Sequence, residues 1–149
     1  MTTSYKQIQL TNTSIGDVAA QAFIPLGTVT RRINTPSSCS NTFTLSSSTT
    51  DSVIINDVGF YKITYSLTAT AAAAGEIVTS LVVNGTTVYS VSQGLVDEAN
   101  PVSLTLPYTI RVYGNCTSSP DNPPVTVQLQ NTGIALTGST SNLIIEKIW

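Results

Sequence analysis

The sequence predicts an all-β domain, a sandwich or jelly roll of about ten short antiparallel strands. Three observations predict it. Val58–Thr70 alternates strictly: Tyr61, Ile63, Tyr65, Leu67 and Ala69 fall on one face, Lys62, Thr64, Ser66, Thr68 and Thr70 on the other. That period of two belongs to a half-buried strand. Asn84-Gly85 stands between two β-rich runs, and Asn-Gly is the strongest short hairpin signal because both central positions of a type I′ turn need positive φ. No window carries a helical period, while turn signals recur about every 8–12 residues.

Along the chain, residues 1–16 are polar with a short alternation at Tyr5, Ile8 and Leu10, which reads as an extended arm or a first strand. Val18–Leu26 followed by Gly27–Ile33 reads as a strand pair or a bent strand. Thr42–Leu45 and Ser52–Ile55 are short strands either side of a Ser/Thr tract, and Asn56–Gly59 turns into the long strand at 60–70. The run Ala71, Ala72, Ala73, Ala74 is too short to hold a helix alone. It reads as a turn or short helical link, or as a place where neighbouring chains approach closely. In Ile77–Val83 both faces are apolar, whereas the outer face of a sandwich should meet water; a second copy of the chain is the simplest cover. Val102–Val112 alternates again but contains Pro107, which cannot donate to a ladder and implies an edge or a bulge. Val125–Gln130, the short Ile134–Leu136 and Leu143–Trp149 complete the set.

The length, 149 residues, fits one domain. Apolar residues make up 41%, enough for a folded core, and charged residues only 9%, against roughly 25% in an ordinary soluble domain. Threonine and serine replace the missing charges. Low charge removes one defence against edge-to-edge strand pairing, so such a chain is safer when its edges are covered by copies of itself. The net charge of −2 and the pI near 4.7, with the basic residues scattered, leave no footprint for nucleic acid. No stretch approaches the ~20 apolar residues of a membrane helix. The N-terminus shows no apolar signal segment, so synthesis in the cytoplasm of the producing cell is expected.

The chain contains no histidine. Ser-His-Asp and Cys-His catalysis are therefore absent, as is the usual zinc ligand. Most of the eight acidic residues sit beside turn residues, where Asp acts as a cap. Asp97-Glu98 and Asp121-Asn122 carry oxygen ligands, but in no calcium-loop spacing. No enzymatic activity, cofactor or metal is expected.

The segment from Val53 to Ser92, with its Gly59-Phe60-Tyr61 strand entry, the TATAAAAG run and the Leu-Val-Val-Asn-Gly hairpin at 81–85, resembles the jelly-roll trimer family. That family includes the globular heads of complement and tumour necrosis factor. The likeness is greatest to bacterial and phage members such as the C-terminal domain of BclA-type exosporium glycoproteins. The closing LIIEKIW fits that family's last strand, and VAAQAFIPLGTVTRR resembles small virion proteins of tailed phages, head fibres and capsid decoration proteins. The chain has no collagen-like stalk, which departs from the exosporium type.

What the resemblance implies is a ten-stranded jelly roll over residues 17–149, assembled as a homotrimer. Residues 1–16 would be an arm that anchors it to a capsid or another virion protein. The expected function is structural, on the virion surface, after synthesis in the host cytoplasm. Alternatives are a receptor- or glycan-binding fibre tip and a spore or cell-surface module. The expected trimer interface is Tyr61, Tyr65, Leu81, Val82 and Tyr89, with Ala71–Ala74 near the axis; each of these also fits an ordinary monomer core. Cys39 and Cys116 both sit in polar loops. They are either bridged after release from the cell, if a jelly roll brings the loops together, or remain free thiols.

Overall fold

The structure is a computed structural model that describes residues 5–34, 42–45, 51–96, 100–112 and 124–149. Ten strands run through them: β1 (Lys6–Ile15), β2 (Thr28–Asn34), β3 (Phe43–Leu45), β4 (Val53–Ile55), β5 (Gly59–Ala71), β6 (Gly75–Val83), β7 (Thr86–Val96), β8 (Val102–Val112), β9 (Val125–Asn131) and β10 (Leu136–Lys147). They form two five-stranded sheets, ordered β2-β1-β10-β5-β8 and β3-β4-β9-β6-β7. Every strand pair is antiparallel. This is the expected jelly-roll sandwich. Cys39, Cys116, Asp97, Glu98 and Asp121 lie outside the described residues.

The alternation of β5 does what its sequence requires. Tyr61, Ile63, Tyr65, Leu67, Ala69 and Ala71 are all buried between the sheets, while Lys62, Ser66 and Thr68 face outward. Ala72–Ala74 is an exposed bend that carries the chain from β5 to β6, in the other sheet. The alanine run is thus a turn. Asn84 and Gly85 adopt φ of 49° and 80°, the expected hairpin between β6 and β7. Pro107 lies on β8, the edge strand of its sheet, where a missing N–H costs no ladder bond.

Three expectations change. From Lys6 onward, residues 1–16 are strand rather than arm: β1 lies between β2 and β10, and Ile8 and Leu10 are fully buried. The alternation at Ile8 and Leu10 is the signature of a half-buried strand, and it wins over the polar composition around it. Val18–Leu26 is not a strand. It makes isolated bridges through Val18 to Leu136 and Phe23 to Gln130, while Ile24 and Leu26 plug the core. Ile134–Leu136 and Leu143–Trp149 are not separate strands either, because β10 runs through from Leu136. A register shift at Gly138 (φ 57°) lets Leu136, Ser139, Ser141, Leu143 and Ile145 all point inward.

Two polar groups pin the ends. The fully buried Asn131 amide donates to the carbonyls of Val18 (3.4 Å), Ala19 (3.3 Å) and Ile134 (3.0 Å), and its Oδ1 accepts from the Gly133 amide. At the other end, Lys6 Nζ lies 2.8 Å from the Asp57 carboxylate, which also accepts from the Thr42 hydroxyl at 2.6 Å. The Tyr61 hydroxyl donates to the Asp57 carbonyl. Partial burial opposes ionisation of Asp57, but the bonds from Lys6 and Thr42 outweigh it and hold the carboxyl below its usual range.

Candidate interaction surface

β7 and β8 are the edge strands of the two different sheets, so the sandwich is open along that side. Tyr89 is paired with the buried Leu81 across β6 and β7 and so points between the sheets. Tyr108 continues the inward series Leu104, Leu106, Ile110 and Val112 of β8. Their rings stack across the opening, centroids 5.3 Å apart and planes at 22°. Such aromatic pairs add about 1 kcal/mol beyond their buried area.

The stack does not seal the edge. Tyr89 remains 40% exposed and Val88 37%. Val88 is the extra residue of a bulge, since Leu81 pairs with Tyr89 but Val82 with Thr87. Beside it runs a groove of about 260 Å³ lined by Val83, Val88, Tyr108, Ile110 and Val125, with Thr109 and Arg111 at the rim. This is an opening of mixed polar and apolar lining, flanked by two edge strands, in a chain with few charges to protect them.

The outer face of the β5–β8 sheet flanks this edge and has a different character. Ser66 and Thr68 of β5, Ser103, Thr105 and Thr109 of β8 and Thr140 of β10 are exposed. On β5, β8 and β10 the outward charges lie at one end, with Lys62, Arg111 and Glu146. At that end Arg111 sits 5.2 Å over the Phe60 ring, and Phe60 is tilted against Trp149 at 5.8 Å.

The residues expected at an interface part company. Tyr61, Tyr65, Ala71 and Leu81 lie in the chain's own core, where a second copy cannot reach them. Burial pushes both tyrosine hydroxyls well above their ordinary range, with the Asp57 charge adding to the effect at Tyr61. Val82 is also buried, on the opposite face of β6, between its register partners Thr87 and Gln128. The chain thus covers at Val82 the face of β6 that the sequence left to a partner. Ala72–Ala74 are exposed in their bend, and Tyr89 is exposed at the open edge. Tyr108 and Val88 join Tyr89 there without having been singled out. Pro107 was the available signal, since it marked β8 as an edge. Among the described residues no group of three or more His, Cys, Asp or Glu side chains could hold a metal ion, and no helix is long and apolar enough to cross a membrane.

No family model and no curated protein matches the sequence. The fold does match solved structures. The globular domain of a zebrafish complement 1qA protein superposes with a TM-score of 0.67 at 6% identity, covering 97% of this chain and 98% of that one. An Eiger TNF from S. frugiperda gives 0.69 at 13% identity, covering 98% and 92%. The PRD1 vertex protein P5 gives 0.58 at 14% identity, covering 99% and 100%. At these identities the likeness shows the fold alone, a jelly roll of the tumour necrosis factor and complement-head type.

Proposed function

We propose that this chain is a non-enzymatic structural protein of a phage virion surface, a head fibre or capsid decoration protein, that works as a homotrimer. The observation that carries the reading is the open β7–β8 edge. Two neighbouring edge strands with the exposed Val88 and Tyr89 between them are what a self-associating β-sandwich must cover. The likeness to a phage vertex protein supports the particle role, and the resemblance of the sequence to complement and tumour necrosis factor heads supports the threefold arrangement. In a closed ring the edge of each copy meets a different patch of the next. The uncharged outer face around Ser66, Thr68 and Thr105 can receive it without burying a charge. Attachment to the particle falls to surfaces other than β1, which is committed to the sheet. Synthesis in the host cytoplasm and display on the virion surface complete the proposal.

Light scattering on the purified protein, with and without reductant, tests the assembly. A mass three times 15.7 kDa is expected in both conditions, and a monomer at all concentrations removes the proposal. Antibodies raised against the protein should then label intact phage particles; labelling confined to cell debris would reject the virion role.

One observation favours a second reading, glycan binding at a fibre tip. Trp149 is 81% exposed and rests on Phe60, with Arg111 over the Phe60 ring. A wet aromatic face beside a guanidinium can stack a sugar ring and bond its hydroxyls. Trp149 is the single tryptophan, so its fluorescence during glycan titration reads this site directly.

A further inference from the structure

We propose that one end of the β2-β1-β10-β5-β8 sheet binds an acidic glycan, whose carboxylates are held by Arg31, Lys62 and Arg111. The proposal rests on the glycan reading above and names the charge class of its ligand. The six basic residues, Lys6, Arg31, Arg32, Lys62, Arg111 and Lys147, are scattered in the sequence. The fold gathers all of them. Each lies within four residues of a strand end, and the register sets those ends side by side. Lys6 pairs with both Lys147 and Asn34, Lys62 with Glu146, and Arg111 with Phe60. Among the described residues two carboxylates, Asp57 and Glu146, share that end. Asp17 and Glu76 lie at the opposite one, beside the Ala72–Ala74 bend. The positive excess is thus local, in a chain whose net charge is −2.

Lys6 is buried and committed to Asp57 at 2.8 Å. Arg31, Lys62 and Arg111 are exposed. Arg31 stands opposite Gln9, which faces outward and bonds Asn142. Lys62 stands opposite Glu146, but Glu146 accepts from the Tyr5 hydroxyl at 3.2 Å and makes no ion pair with Lys62. Arg111 sits over the Phe60 ring. The Phe60 amide donates to the Trp149 carbonyl, and the Ile148 amide to the Phe60 carbonyl. Those two bonds fix Trp149 and Ile148 in the same row as Phe60. Cations therefore flank an aromatic centre, with Arg31 three strand spacings from Lys62, roughly 14 Å.

The mixture of groups selects the ligand. Trp149 offers an exposed apolar ring face. The two arginines present planar forks that fit carboxylates. Glu146, in the middle of the patch, accepts hydrogen bonds and calls for donors, which sugar hydroxyls supply. A phosphodiester backbone brings no donor and would be repelled there. Nucleic acid also tracks a continuous basic groove, which a carboxylate in the centre interrupts. Phe60 lies six residues along β5 from Ser66, roughly 20 Å, away from the face assigned to a neighbouring copy.

Oligogalacturonate and its fully methyl-esterified form present the same sugar with and without charge. Each is titrated into the intact chain with Trp149 fluorescence as the readout. The acid should bind roughly tenfold more tightly than the ester, as two or three exposed charge contacts give. Salt at 1 M, where screening acts within ~3 Å, should remove that advantage. Lys62→Gln and Arg31→Gln should each weaken the acid roughly threefold. Equal affinity for acid and ester would overturn the proposal and leave the glycan reading standing. Binding of neither would overturn both. An oligodeoxythymidine strand that matches the acid in affinity would also overturn it, in favour of nucleic acid.

Discussion

Tyr89 and Tyr108 stack with ring centroids 5.3 Å apart across the gap between β7 and β8, the edge strands of the two sheets. The pair closes the mouth of the sandwich partway and leaves Val88 and Tyr89 exposed beside it. It is both the last contact of the core and the first contact available to another copy.

Replacing Tyr89 by Lys should separate those roles. Tyr89 is already half in water, so the monomer loses only the stacking, about 1 kcal/mol. Assembly should suffer far more, because a charge would enter a desolvated contact. Light scattering should find single chains, and circular dichroism an unchanged strand signal. A variant that remains trimeric would place the interface elsewhere.

Gly27 and Gly85 should differ sharply when changed to Ala. Both have positive φ, 88° and 80°. At Gly85 a new Cβ meets nothing, so only the backbone strain of about 1 kcal/mol applies. At Gly27 it would press on the Thr11 carbonyl and on Asn12, which are backbone and side chain of the adjacent β1. Urea titration should show Gly27→Ala losing several times the stability that Gly85→Ala loses, with roughly 3 kcal/mol or more expected where packed backbone must move.

Asp57 should shape the acid limb of stability. Its folded pKa lies below its unfolded value, near 3.9 for an ordinary Asp. The stabilisation is therefore complete above that unfolded value and fades as pH falls through the folded one. Asp57→Asn keeps the shape but loses the charge that Lys6 and Thr42 bind, costing about 2 kcal/mol at pH 7. Thermal melts of the two proteins should converge as the pH drops below about 4. A constant gap down to pH 2 would mean the Lys6 bridge contributes nothing.

Deleting residues 1–16 should abolish folding. The truncation removes a strand flanked on both sides, together with the buried Ile8, Leu10 and Ile15. Losses of about 2–5 kcal/mol per large core side chain exceed what a marginally stable domain can absorb. A dispersed amide NMR spectrum from the truncated chain would show that β1 is dispensable.

Local chemistry made much of the fold legible. Alternation marked β5, β8 and β9, Asn84-Gly85 marked the β6–β7 hairpin, and Pro107 marked an edge, because each is a property of neighbours in sequence. The candidate site was legible only at Tyr89. Tyr61, Tyr65 and Tyr108 all sit in the same alternating pattern, and a period of two says which residues share a face without saying what that face meets.

By itself, then, the sequence determined an all-β chain with its strands, its hairpin and its low-charge surface. Tertiary structure decided the rest. Pairing of β1 with β10 joins opposite ends of the chain. It turned a polar N-terminal segment into an interior strand. Sheet order left β7 and β8 as neighbouring edges, and this alone separates Tyr108 at the rim from Tyr61 and Tyr65 in the core. These pairings depend on which distant faces bury the most apolar surface together, a quantity no local window contains.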